Sequence, residues 1–225
     1  MTENSKPTTQ ARSAVLREAF INAGFELLNE YSLDQLTVPQ IAKTAGSSVG
    51  GFYSRFKNKD TFFLCLRDEQ IRHDREFEQQ NLPLSLLETG SPDEVIAAVV
   101  DTYTGIFTGK GRGVLRTAFL KMHEDPTLWE PMRENGRRAS DYLSTHVGPR
   151  LGEDGELRAR FAIQVLMSAL VNDLVNPNHP IKAQQPEFRA YLFDMLATFL
   201  TPAGKAAETT PGKVAEIRSG DADQP

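Results

Sequence analysis

The chain of 225 residues has a single cysteine, Cys65, a single tryptophan, Trp129, and four histidines. One cysteine excludes a disulfide framework within the chain, and its place in the apolar run FFLCL reads as a buried, inert thiol suited to a reducing compartment. No apolar run approaches the roughly 20 residues of a membrane span, and the opening MTENSKPTTQ lacks the apolar core of a signal peptide. A soluble, cytoplasmic protein with no membrane partner is expected. Reactive groupings are just as scarce: there is no Ser/His/Asp set, no paired carboxylates in a glycine-framed loop and no metal-ligand spacing. His123, Glu124 and Asp125 are adjacent, so they do not converge on one ion. The run TGKGRG from Thr108 to Gly113 lacks both the G-x-x-x-x-G-K-[ST] pattern and a preceding strand that a phosphate loop requires. Neither catalysis nor a metal nor a cofactor is expected.

Alternating strand patterns and internal repeats are also missing, while apolar residues recur at helical spacing along most of the chain, which predicts an all-α fold. A 40% hydrophobic content is enough to bury a real core. Residues 1–11 read as a polar, disordered arm and 202–225 as a disordered tail. Between them, residues 12–58 form a first unit and 59–201 a second. The first opens with a helical stripe through Val15, Leu16, Ala19, Phe20, Ala23, Leu27 and Leu28. The second opens at Asn58, Lys59 and Asp60 with a long helix reaching toward Phe77, followed by a linker over 81–90. Ser91, Pro92 and Glu94 then form a capping box, and Asp125 with Pro126 starts another helix. Residues 156–175 are apolar nearly all round, so that helix must be covered on more than one side.

The most informative stretch is TVPQIAKTAGSSVGGFYSRFKNKD, residues 37–60. Thr37 and Gln40 fit a capping box with Pro39 in the first turn; Gly46 ends that helix, since glycine accepts the left-handed turn. Ser47 and Ser48 can cap a second helix bearing Val49, Phe52, Tyr53 and Phe56. Two short helices joined by a tight glycine turn make a helix-turn-helix. Charge supports a nucleic-acid partner. The net charge is −5, and residues 61–225 carry 18 Lys and Arg against 24 Asp and Glu, whereas between Thr37 and Lys59 the charged residues are Lys43, Arg55, Lys57 and Lys59 with no acid. An ordinary two-helix corner, or a helix pair that mediates protein contact in an architectural or adaptor protein, fits the bare pattern as well.

The run AGSSVGGFYSRFKNKD, from Ala45 to Asp60, resembles the helix-turn-helix of the tetracycline-repressor (TetR) family of bacterial transcription regulators. Ala45, Gly46, Ser48, Gly50, Tyr53, Phe56 and Lys59 match its common pattern, and Phe52, Arg55, Asn58 and Asp60 are near matches. Ser47 departs from it where a small apolar residue is usual, and Gly51 where a phosphate-binding hydroxyl is usual; Gly51 also weakens its helix by about 1 kcal/mol relative to alanine, which predicts a short one. The resemblance implies that Thr37, Tyr53 and Lys59 touch phosphates and that Ser48 and Val49 reach base edges, with Ser47, Gly51 and Lys57 completing the DNA-facing set. It further implies a homodimer built by the last two helices, a pseudo-palindromic double-stranded operator, and a cavity among the middle helices for a small, largely apolar effector that releases a repressor from DNA. Candidates to line such a cavity are Tyr103, Phe107, Phe119, Met122, His123, Trp129, Met132, Tyr142, Met167 and Asn172.

Overall fold

The computed structural model describes residues 9–176, 178 and 180–200. These residues form ten α-helices and two short 3₁₀ turns, with no strand among them: α1 Thr9–Glu30, α2 Val38–Thr44, α3 Val49–Tyr53, α4 Lys59–Asn81, α5 Leu84–Thr89, α6 Pro92–Thr108, α7 Arg112–Lys121, α8 Glu130–Val147, α9 Gly155–Val175 and α10 Pro186–Leu200. The all-α expectation holds. Residues 9–11 of the expected polar arm are the first turn of α1, because helix propagation extends past the last core-facing residue; residues 1–8, the tail 202–225 and loop residue Pro177 lie outside the described residues.

Helix starts follow the caps that the sequence carries. The Thr37–Gln40 and Ser91–Glu94 capping boxes are both formed, each side chain accepting from the backbone of its partner residue. Asn58 caps α4 by accepting from Thr61 N at 2.8 Å. Two expectations need correction. The span 81–90 is no simple linker: Leu82 is buried and α5 folds back over the body with Leu87 fully inside, the chain escaping the helix only where Pro83 removes a backbone donor. Asp125 and Pro126 open a 3₁₀ turn, Pro126–Leu128, ahead of α8, because the Asp125 carboxylate bonds Thr127 N two residues on, which favours the tighter turn.

The head, α1 to α3 with the first turns of α4, is held by phenylalanine rings. Phe20 meets Phe52 at 5.8 Å and Phe56 at 5.9 Å, and Phe62 of α4 meets Phe52 at 5.4 Å and Phe56 at 4.9 Å, most of them edge to face. The start of α4 is therefore packed directly on α3. Along α4, Phe62, Leu66, Gln70, Asp74 and Glu78 recur at every fourth residue and all are buried, so a stripe that begins in the head core continues into the body as polar side chains.

The head also rests on the turn between α6 and α7. Asn29, near the end of α1, accepts from Gly113 N at 2.8 Å and donates to the Lys110 carbonyl at 3.0 Å, while Arg116 donates to the Leu28 carbonyl at 2.9 Å. Gly113 allows this approach, since a side chain there would run into the Leu28 carbonyl at 2.2 Å. The TGKGRG turn is thus a docking seat for α1. Farther along, Asp173 of α9 is buried on Arg112 at 3.0 Å and on Ala183 N at 3.0 Å, tying α7, α9 and the approach to α10 together.

Candidate nucleic-acid interface and ligand cavity

The turn between α2 and α3 has the geometry its residues require. Gly46 sits at φ 62, its N–H donates to the Lys43 carbonyl, and Ser47 N donates to the Ala42 carbonyl at 2.8 Å, the paired bonds of a Schellman stop. Ser48 then caps α3, its Oγ accepting from Gly51 N at 3.0 Å and keeping its own O–H to donate outward. The helix that follows is five residues long, Val49–Tyr53, as Gly51 predicts. Phe52 is turned wholly inward, whereas Val49 and Tyr53 stand exposed with Ser48 on the outer face. Gly51 has little room for a side chain, because its Cβ would lie 2.5 Å from the Ser47 Oγ.

Below the head, α4, α6, α8 and α9 enclose a cavity of about 240 Å³. Its wall is apolar over Ile71, Ile106, Phe107, Met132, Ala139, Met167 and Val171, with Trp129 at one side. Phe119 backs Trp129 edge to face at 5.2 Å without reaching the cavity. One strip is polar. Asp74, Glu78 and the Tyr103 hydroxyl line the cavity at 7%, 4% and 4% exposure, and Gln70 donates to Asp74 Oδ1 at 2.5 Å. Arg138 lies 3.4 Å from Glu78, and the Tyr103 hydroxyl has no hydrogen-bond partner. Burial pushes the Asp74 carboxyl up to about 7, against the hydrogen bond from Gln70 and helped by the charge of Glu78. Burial likewise raises Glu78, opposed by Arg138 and Arg75, and raises the Tyr103 phenol, helped by Glu78.

Residues 20–66 match the model of the family described as bacterial regulatory proteins, tetR family. The head, over those residues, is of TetR type by sequence. Over 53 residues the chain is 42% identical to an uncharacterized HTH-type transcriptional regulator, YwcC, from Bacillus subtilis (strain 168); the match covers 24% of each chain. Across most of its length the chain shares the fold of a candidate TetR-family transcriptional regulator from Mesorhizobium loti, with a TM-score of 0.68 at 16% identity over 84% of this chain and 96% of that one. It also shares the fold of the fatty acid degradation regulator FadR from Bacillus halodurans, with a TM-score of 0.63 at 18% identity over 86% and 97% of the two chains.

In the head, the DNA-facing candidates divide by what they already hold. Ser48, Val49, Tyr53 and Lys57 are exposed, and Lys43 and Lys57 have no ion pair among the described residues. Lys59 is different: its ammonium donates to the Leu36 carbonyl at 2.7 Å and the Leu33 carbonyl at 2.9 Å, with Asp34 at 3.5 Å, so it clamps the loop before α2 instead of standing open to a phosphate. Arg55 is similarly engaged with the Gly51 carbonyl, Ser54 and Ser13. Thr37 uses its hydroxyl to accept from Gln40 N and to donate to Gln40 Oε1 at 2.8 Å, as a cap. Clustered cations in a sequence look alike; which ones bond to carbonyls depends on loops that only the fold brings near.

Of the ten cavity candidates, the structure gathers Tyr103, Phe107, Trp129, Met132 and Met167 around the cavity. Phe119, Met122, His123, Tyr142 and Asn172 are not part of its wall: His123 and Asn172 are exposed, and Tyr142 packs on His146 at 4.8 Å. Apolar type alone does not tell which side of a helix faces inward. The acids Asp74 and Glu78 were missed, although their four-residue register with Phe62 and Leu66 was a usable signal.

Proposed function

We propose that the chain is a homodimeric transcriptional repressor that binds a pseudo-palindromic operator through α2 and α3 and leaves it when a small ligand occupies the cavity under α4. The observation that carries this reading is the outer edge of α3: Ser48, Val49 and Tyr53 stand exposed over a closed phenylalanine core, with Lys43 at the end of α2 and Lys57 just after α3. That edge suits a major groove. Ser48 and Val49 are placed to meet base edges, Tyr53, Lys43 and Lys57 to meet phosphates, and Ser47 and Gly51 supply close backbone approach. Val49 can contact a thymine methyl but makes no bidentate hydrogen bond, so DNA shape and half-site spacing carry much of the specificity.

The dimer is supported by an exposed apolar patch. Leu157 and Phe161 on α9 and Tyr191, Met195 and Phe199 on α10 are 38–69% exposed, and Phe161 and Phe199 meet at 5.6 Å, joining the two stripes. A contiguous patch of this kind on a protein surface marks an association site. Leu166 and Leu196, in the same helices, lie instead in the protomer's own core. The test is a band-shift with DNA from around the chain's own gene at several salt concentrations. Retention of a DNA band whose affinity falls steeply with salt supports the reading, because phosphate contacts release counterions; the absence of any salt-sensitive complex contradicts it.

A further inference from the structure

The cavity holds more hydrogen-bonding capacity than the protein satisfies. Tyr103 is buried with an unpartnered hydroxyl, and among the described residues the Asp74 carboxylate receives a hydrogen bond from Gln70 alone. Arg138 approaches Glu78 and leaves Asp74 without a cation. Buried acceptors and hydroxyls without partners are rare, and a ligand that supplies the missing donors recovers their desolvation cost. The remaining wall is apolar, with an aromatic face from Trp129 and the thioethers of Met132 and Met167. At protein packing density, 240 Å³ accommodates a van der Waals volume of about 180 Å³, that of a one-ring molecule with a short chain.

We infer that this cavity binds a small amphiphilic cation, a primary or secondary ammonium on a mostly hydrocarbon body, with the ammonium held between Asp74, Glu78 and the Tyr103 hydroxyl and the body against Trp129 and Met167. The inference rests on the reading of the cavity as the effector site and gives that effector a chemical class. An ammonium supplies two or three donors to the three oxygens and pairs with the acid that has no cation of its own, which a neutral or anionic ligand does not do. Arg133, at the cavity rim, is paired with Glu130 and does not neutralise Asp74.

Trp129, the one tryptophan of the chain, reports occupancy directly. Its fluorescence in the full chain at pH 7.5 is titrated with phenylalkylamines carrying one to four methylenes, and with the alcohol and carboxylate of matching length. The tightest amine should bind at least tenfold more tightly than its alcohol and show no measurable competition from its carboxylate. Asp74→Asn should weaken that amine at least tenfold and leave the alcohol within twofold; Glu78→Gln and Tyr103→Phe should each weaken the amine by a smaller factor and give the same ranking if the first variant fails to fold. Alcohol or carboxylate binding as tightly as the amine, an unchanged amine affinity in Asp74→Asn, or no response to any member of the series overturns the inference. A band-shift with the amine present separates this from the regulatory reading: an amine that fills the cavity yet leaves DNA affinity unchanged upholds the cation site and contradicts its role as the release switch.

Discussion

Lys59 and Asp74 are carried by one unbroken helix, the first clamping the loop before α2 and the second lining the cavity, fifteen residues and about 22 Å farther along α4. A helix with intact backbone bonds transmits a tilt over that distance with little bending. Phe62 of α4 packs on Phe52 of α3, so under the proposed function a shift of α4 at Asp74 is expected to move the outer edge of α3 as well. In the proposed dimer the two heads must match grooves about 34 Å apart, so a small tilt in each protomer is expected to change affinity.

Lys57 and Lys59 should behave differently, although both are cations at the end of the motif. Lys57→Ala should lower DNA affinity for all sequences and reduce the salt slope by about one, with thermal stability unchanged. Lys59→Ala removes the donor to the Leu33 and Leu36 carbonyls and should cost about 1–3 kcal/mol of stability. Calorimetric melting of the two variants checks this; a Lys59→Ala protein that melts like the parent contradicts the clamp.

Gly113→Ala should destabilise the seat between α1 and the α6–α7 turn, because the added Cβ meets the Leu28 carbonyl. A loss of about 1–3 kcal/mol in urea unfolding is expected. Asn29→Ala, which removes both bonds across the seat, should fall in the same range. Losses below about 0.5 kcal/mol in both would show that the seat does not hold the head.

The pH dependence of stability follows from Asp74. Its folded pKa of about 7 lies above the unfolded value of 3.8, so between those values the folded state binds more protons and stability falls as pH rises. Asp74→Asn keeps the acceptor for Gln70 and abolishes the ionisation. The variant should match the parent near pH 4 and exceed it by about 1–4 kcal/mol at pH 8. An equal difference at both pH values would show that Asp74 is not a burdened carboxylate.

The proposed dimer positions on α9 and its core positions should respond differently to a charge. Phe161→Asp should give a folded monomer in sedimentation, since the charge falls on the exposed patch, while Leu166→Asp should unfold the protomer, since it buries an unpaired charge. A Phe161→Asp protein that sediments like the parent contradicts the assignment of this patch to the dimer.

Helices α2, α4 and α6 were legible because they carry their own boundary chemistry: Thr37, Asn58 and Ser91 cap, Gly46 turns, and the apolar register selects the inner face. The two short helices of the head were legible for the same reason, as their motif is local. What was hidden depends on contacts distant in sequence. Lys59 bonds to carbonyls more than 20 residues back, Asp173 is absorbed by Arg112 61 residues away, and the cavity is shaped by Arg138 meeting Glu78 across 60. Of α9 and α10, only the split between core Leu166 and exposed Phe161 decides which face remains for a partner, and a helix apolar on nearly every side does not announce that split.

Thermodynamic reciprocity tests whether the cavity and the outer edge of α3 are coupled through α4. The affinity of the tightest phenylalkylamine, read from Trp129, is measured with and without saturating operator DNA, and DNA affinity is measured with and without saturating amine. A ligand that weakens DNA a hundredfold corresponds to about 2.7 kcal/mol of coupling, and DNA must then weaken the ligand by the same factor. Two equal factors well above one are expected; an amine that binds equally well to the free and the DNA-bound protein would show that no such coupling exists.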